Sequence, residues 1–205
     1  MRLVTTALPL GFFAVLLLGA ASPAGCGGGT SAGTAALAGP TSMSGPEGKR
    51  QLRARLIGYQ ETPAISTTGH GTFRATLSED ESTLTFELTY ADLEGVGEVG
   101  NVTAAHIHLG QRGVAGGVSV ALCGAGNRPA CPAQPATVTG TIVAADVTGP
   151  ATQGISPGEL AELLRAARAG VTYVNVHTSG FPAGEIRGQL RPGTTPHGDD
   201  GRDED

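Results

Sequence analysis

The sequence predicts an all-β domain, an antiparallel β-sandwich or barrel that carries one short amphipathic helix. Three observations support this prediction. Short segments alternate apolar and polar side chains, as strands with one buried face do. Turn signals separate these segments at short intervals, and one segment among them follows helical spacing instead.

The first 50 residues predict an export signal and, after it, a flexible linker. Residues 1–25 are expected to be a signal peptide, because a weakly basic start precedes the apolar run 8–21 and then small residues. Two small residues directly precede Cys26, as in the lipobox of bacterial lipoproteins, so we expect Cys26 to be lipidated. Ordinary secretion with cleavage near Ala24 is the alternative. Residues 26–50 are rich in Gly, Ser, Thr, Ala and Pro and predict a flexible linker.

Residues 51–191 form the predicted folded domain, and residues 192–205 a disordered acidic tail. The polar link 79–81 predicts a hairpin between the second and third strands. The expected strands are 51–59, 71–78, 82–90, 101–109, 117–122, 136–145, 171–177 and 185–191.

The segment 157–169 predicts the helix. Ser156 precedes Pro157, and Glu159 follows three residues after the serine, which is the pattern of a capping box. Apolar residues then recur at helical spacing, and Gly170 can end the helix.

Cys123 and Cys131 are expected to form a disulfide that closes a loop rich in Gly and Pro, since exported proteins fold in oxidising compartments. Zinc thiolates are the alternative, but zinc-binding cysteine pairs are usually about two to four residues apart and seven residues intervene here. The domain has no basic run or basic–aromatic patch, so we expect no nucleic-acid partner.

Strand parity predicts a polar face of the sheet opposite the apolar core face. His106 and His108 alternate with Ile107, and His177 alternates with Val174 and Val176. A hairpin between the last two strands then predicts three opposed pairs: His177 with Glu185, Val176 with Ile186, and Asn175 with Arg187. We call His106, His108 and His177 the histidine cluster.

The histidine cluster has two interpretations. As imidazole ligands the three side chains would hold copper or zinc, with Glu185 as a fourth ligand or as a group that orients a ring. Alternatively, they belong to a structural polar network in which the rings bind backbone carbonyls and Asn175, while Glu185 pairs with Arg187 or with a protonated histidine. Both remain open, because the sequence does not tell whether the strands that carry the histidines are neighbours.

The motifs "AHIHLGQRGVAGGVSVALC" and "YVNVHTSGFPAGEIRGQL" resemble the chordin-type domain, called CHRD, which occurs in animal chordin and in many bacterial exported proteins. The segment 56–95, which opens with Gly-x-x-Glu-x-Pro, fits the same pattern. The resemblance covers about residues 51–191. It implies an immunoglobulin-like β-sandwich and no established enzymatic activity. The growth-factor antagonism of chordin does not carry over to a single domain.

Taken together, these observations predict a non-catalytic, extracytoplasmic binding or structural module, a CHRD lipoprotein that is anchored to the membrane through Cys26, or else secreted. Its expected partner is extracellular and unidentified. The alternative function is binding of copper or zinc at the histidine cluster.

Overall fold

The computed structural model describes residues 50–95 and 102–193. The predicted signal peptide, the lipidation of Cys26, the linker and nearly all of the acidic tail lie outside these residues. Within them, one helix is an α-helix, α1 (Leu160–Arg168), and single 3-10 turns occur at Gly58–Gln60, Ala144–Asp146 and Ala151–Gln153.

The described residues form nine strands, and all eight predicted strands are present within a few residues of their expected bounds. These are β1 (Gln51–Ile57), β2 (His70–Leu77), β3 (Thr83–Ala91), β4 (Val102–Leu109), β5 (Gly117–Cys123), β6 (Ala136–Val143), β7 (Thr172–Thr178), β8 (Ile186–Gln189) and β9 (Arg191–Pro192).

All the strands belong to one antiparallel sheet in the order β5-β4-β7-β8-β1-β2-β3-β6, with β9 paired to β1. The sheet curls until β5 and β6, at its two ends, approach each other, which gives a nearly closed barrel- or sandwich-like layer. The predicted all-β class is therefore confirmed. The curvature places one face of every strand inside and the other outside.

The core lies on the inner face. Alternate residues of β1, β2 and β3 are buried, as a strand with one apolar face requires. In the strands that carry the histidines, Ile107, Val174 and Val176 point inward and are almost completely buried. Each such side chain contributes roughly 1.5–3 kcal/mol of burial free energy, so the parity of these strands is strongly specified.

The predicted hairpin between β2 and β3 is present, with Leu77 opposite Leu84. The Asp80 carboxylate accepts hydrogen bonds from the hydroxyls of Ser78 and Ser82 and from the backbone N–H of Ser82. These bonds lower the pKa of Asp80 to about 2. The polar turn is therefore held by hydrogen bonds among its own residues.

The helix begins later than predicted. Its first residue is Leu160, because Gly158 adopts φ +89°, a conformation that does not belong to a right-handed helix. Half of the expected capping box forms, since the Glu159 carboxylate accepts a hydrogen bond from the backbone N–H of Ser156. Glu159 is the N-cap residue of the helix, and its side chain makes no cap bond there. The apolar face is as predicted and is buried beside β7 and β9: Leu160, Leu163, Leu164 and Ala167.

The predicted disulfide between Cys123 and Cys131 is formed, with the two Cα atoms 5.0 Å apart. It closes the loop that follows β5, and the Cys123 side chain belongs to the core. This loop is thereby attached to the same end of the sheet that carries β4.

The junction between β8 and β1 joins the two halves of the sheet and is tightly packed. A Cβ atom at Gly188 would lie against the carbonyl oxygen of Arg55, well inside van der Waals contact. We expect Gly188→Ala to lower the free energy of unfolding by about 2 kcal/mol, because the obstructing atom is backbone and cannot rotate away. Urea unfolding of the two proteins measures this loss.

Gly140→Ala is the matched control for this prediction. Its Cβ would approach the Phe86 ring to 2.9 and 3.1 Å, and a ring can shift where a backbone carbonyl cannot. The loss should therefore be clearly smaller. An equal or larger loss at Gly140 would contradict the proposed role of the β8–β1 contact.

Candidate metal centre

The histidine cluster is assembled by the pairing of β4 with β7. In the register of these strands Ala104 faces His177, His106 faces Asn175, and His108 faces Tyr173. The two histidines of β4 thus lie on the same outer face as His177. The adjacency of the two strands, which the sequence could not supply, is present.

The ring nitrogens lie close enough for one ion. His106 Nδ1 donates a hydrogen bond of 3.1 Å to His177 Nε2, and one nitrogen from each of the three rings lies within 4.8 Å of the others. In a tetrahedral site with bonds of about 2.0–2.1 Å, two ligand nitrogens are about 3.3 Å apart. One pair therefore already has the spacing of bound ligands, and the third ring needs an approach of about 1.5 Å by rotation of its side-chain torsions.

Backbone carbonyls set the tautomers of two rings. His108 Nδ1 donates to Gly116 O at 2.9 Å, and His177 Nδ1 donates to Pro182 O at 3.0 Å. A carbonyl oxygen can only accept, so each Nδ1 carries the proton and each neutral ring has its lone pair on Nε2. Metal-binding histidines are typically oriented in this way through the nitrogen that is not bound to the metal.

The lone pair of His108 has no partner among the described residues. His108 is 7 % exposed, and its Nε2 makes no hydrogen bond. The amide of Asn175 lies beside the ring without completing a bond to this nitrogen. A buried nitrogen in this condition is costly, and a bound ion or a water molecule would satisfy it.

Burial keeps the three rings neutral. Together with the neighbouring rings of His177 and His108, it lowers the pKa of His106 to about 4. Burial also lowers the pKa of His108 and of His177, against the opposing effect of their carbonyl hydrogen bonds. At neutral pH all three are therefore available as ligands without first losing a proton from a charged ring.

The side chains of Tyr173 and Arg187 form a stack with the His108 ring. The His108 and Tyr173 rings stack with an interplanar angle of 7° and centroids 4.8 Å apart. The Arg187 guanidinium lies 3.4 Å from the centre of the Tyr173 ring. Arg187 also donates to the carbonyls of Gln111 and Val114 at 3.0 Å each. It thereby holds the loop 110–116, whose Gly116 carbonyl orients His108.

Glu185 does not belong to the cluster, which corrects its predicted role as a ligand or orienting group. Its carboxylate accepts hydrogen bonds from the hydroxyls of Thr67 and Thr178 and from the backbone N–H groups of Glu94 and Gly95, at distances of 2.6–3.0 Å. Its expected pairing with Arg187 is also absent. The other two predicted pairs of this hairpin, Val176 with Ile186 and Asn175 with Arg187, are present.

The physical reason lies at Gly184. This residue has φ +130°, so the chain departs from the regular strand just before Glu185. The alternation of faces that holds within β8 does not extend to Glu185, and its side chain turns toward the donors of β7 and the neighbouring loops.

Glu61 takes the place in the polar network that was assigned to Glu185. It is buried beside Asn175 and close enough to Arg187 for their charges to interact. Arg187 further donates to the hydroxyl of Thr62. The network is therefore Glu61, Asn175 and Arg187. Sequence reasoning missed Glu61, although the Gly-x-x-Glu-x-Pro pattern contained it and was the available signal.

Glu61 should give the protein a characteristic pH dependence. Burial raises its pKa to about 7, and the Arg187 charge opposes this effect without overcoming it. The neutral acid is thus favoured in the folded state, so its contribution is complete below pH 4.5 and is lost as the pH rises through 7. We expect wild type to lose up to about 3 kcal/mol of unfolding free energy, relative to Glu61→Gln, between pH 4.5 and 8. Urea unfolding of the metal-free proteins measures this loss.

The control is Glu79→Gln, which removes a carboxylate whose side chain is 91 % exposed. Its stability difference from wild type should change little over the same range. A parallel pH dependence of the two variants would show that burial does not govern Glu61.

A family model of the CHRD domain matches residues 52–190. No curated protein and no solved structure matches the chain. The matched region contains the histidine cluster, Glu61, Arg187 and the disulfide, and it covers more than half of the 205 residues. This chain therefore belongs to the CHRD domain family.

Proposed function

We propose that this protein is a non-catalytic module outside the cytoplasm that binds one copper or zinc ion at the histidine cluster. One observation carries the proposal: one nitrogen from each of the three neutral rings lies within 4.8 Å of the others. Carbonyls hold the Nδ1 protons of His108 and His177, so the lone pair of each ring is on Nε2.

The chemistry of the ligand set favours copper and zinc. Imidazole nitrogen suits these ions, whereas magnesium and calcium prefer oxygen ligands. Within the described part of the chain, the cluster includes neither a carboxylate nor a thiolate. Three protein nitrogens leave at least one coordination position for water or for a group from a partner.

Export is supported by the disulfide and by family membership. A disulfide such as Cys123–Cys131 persists in oxidising compartments outside the cytoplasm. Residues 50–95 and 102–193 include no helix with the length and apolar character needed to cross a bilayer. The proposed attachment is a lipid on Cys26, which would hold the domain at the membrane through the linker 26–50.

Metal binding is tested by titrating tag-free protein with zinc and with copper in a calorimeter. We expect one ion per chain for wild type, and affinity lowered about 100-fold or more in His108→Ala and in His177→Ala, since each removes one of three ligands. At a free ion concentration one hundred times the Kd, the ion should also raise the unfolding free energy by about 2.7 kcal/mol.

His70→Ala provides the matched control. His70 is an exposed histidine on β2 with Nδ1 near the carbonyl of Thr68, and it does not belong to the cluster. Its loss should leave affinity and stoichiometry unchanged. If wild type takes up neither ion, or if His70→Ala weakens binding as much as His108→Ala, the cluster is a structural polar network.

Lipidation is tested at the N-terminus of the protein from its native membrane. Mass spectrometry should show a diacylated or triacylated Cys26, and Cys26→Ser should release the protein from the membrane fraction. Recovery of a mature chain with an unmodified thiol at Cys26 would establish ordinary secretion instead.

A further inference from the structure

The surroundings of the histidine cluster constrain the charge of the ion that it can hold. Its three ring nitrogens are neutral donors, and within the described part of the chain the group contains neither a carboxylate nor a thiolate. No ligand charge therefore offsets the charge of a bound ion. The cost of removing an ion from water rises with the square of its charge, and His108 is only 7 % exposed. Burial thus disfavours a doubly charged ion more strongly than a singly charged one.

Arg187 adds a permanent positive charge beside the same site. Its guanidinium carbon lies 3.4 Å from the centre of the Tyr173 ring, and that ring stacks on His108 with centroids 4.8 Å apart. No more than about 8 Å therefore separates the guanidinium carbon from the centre of the His108 ring. Strand β7, which carries Tyr173, pairs with β4 on one side and with β8 on the other. The tyrosine thus comes from the strand between those of the ligand and the charge.

The hydrogen-bond partners of Arg187 are neutral and leave its charge in place. The guanidinium donates to the hydroxyl of Thr62 and to the carbonyls of Gln111 and Val114. Among the residues that the structure describes, it forms no ion pair with a carboxylate. Glu61 is close enough for an electrostatic interaction, but its burial favours the neutral acid. The positive charge of Arg187 is therefore only partly offset.

The number of donors agrees with the charge. One nitrogen from each of the three rings lies within 4.8 Å of the others, and the described residues add no fourth ligand to this group. A cuprous ion is stable at low coordination number. Zinc in proteins is almost always four-coordinate, and cupric copper prefers a square-planar or tetragonal set. Charge and coordination number therefore favour the same ion.

We propose that the ion held by the histidine cluster is cuprous copper, which carries a single positive charge. This inference rests on the proposed metal-binding function and specifies the oxidation state of the ion. Arg187 acts on the ion through its charge and does not touch it. Two unit charges about 8–10 Å apart, at an effective dielectric constant near 20, shift an equilibrium roughly 10- to 30-fold. Arg187 alone should therefore favour cuprous over cupric copper by at least about tenfold.

The test measures both oxidation states of copper on the tag-free full chain. Anaerobic competition with a cuprous chelator gives the Kd of cuprous copper, and voltammetry gives the reduction potential of the bound ion. We expect this potential to lie above that of copper in excess free imidazole at the same pH, because free imidazole supplies the same donor without burial or Arg187. A tenfold preference for the cuprous ion corresponds to a rise of about 59 mV for one electron. A potential equal to or below that of the imidazole complex would overturn the proposal.

Variants separate the charge of Arg187 from its structural role. Arg187→Gln should lower the potential by about 59 mV or more, whereas Arg187→Lys keeps the charge and should stay close to wild type. Glu61→Gln removes a negative charge and should raise the potential at pH 8, so a variant with the opposite sign remains if Arg187→Gln does not fold. Arg165→Gln removes an exposed charge from α1 and is the control, which should leave the potential unchanged.

The possible outcomes distinguish this inference from the proposed function. If the chain binds one zinc or cupric ion and neither the Arg187 variants nor Glu61→Gln change the copper potential, metal binding stands and the preference for cuprous copper is overturned. If Arg165→Gln lowers the potential as much as Arg187→Gln, the preference is likewise overturned. If the chain takes up neither zinc nor copper in either oxidation state, the proposed function fails together with this inference.

Discussion

The buried guanidinium of Arg187 is the constraint on which the outer face of this domain depends. Only 2 % of the residue is exposed, and a charge in that position is costly unless several partners satisfy it. The hydroxyl of Thr62, the carbonyls of Gln111 and Val114, and the face of Tyr173 do so. These partners come from separate parts of the chain. Satisfying one charge therefore fixes the turn after β1, the loop 110–116 and β7 relative to β8.

The geometry of the histidine cluster follows from this arrangement. The loop that Arg187 holds ends at Gly116, and its carbonyl fixes the tautomer of His108. Tyr173 supports the same ring by stacking and donates through its hydroxyl toward the loop. The Arg187 charge disfavours protonation of His108, and it would likewise oppose a cation at the proposed metal site. Glu61 partly offsets this charge, because the Arg187 guanidinium favours its ionised form against the effect of burial.

The outer face thus separates two kinds of chemistry on one sheet. The histidine cluster lies on β4 and β7, where burial keeps the ionisable rings neutral. A groove over β1, β2 and β9 is lined instead by five arginines: Arg53, Arg55, Arg74, Arg112 and Arg191. The loop 110–116 lies between them and contributes to both, through the Gly116 carbonyl on one side and Arg112 on the other. Burial is what distinguishes the two regions.

The sequence by itself determined the features that depend on neighbouring residues along the chain. Period-two alternation specifies the strands and places His106, His108 and His177 opposite Ile107, Val174 and Val176, because a slip of one residue would expose the core face. The pairs of Val176 with Ile186 and Asn175 with Arg187 follow from a short turn, and the disulfide follows from two nearby cysteines.

Only the tertiary structure decided that β4 pairs with β7, since His106 and His177 are 71 residues apart. It also decided that Glu61 rather than Glu185 joins Arg187, that the helix starts after Gly158, and that arginines from separate strands form one groove. Each of these depends on long-range strand pairing or on a glycine with positive φ, and neither leaves a local period in the sequence.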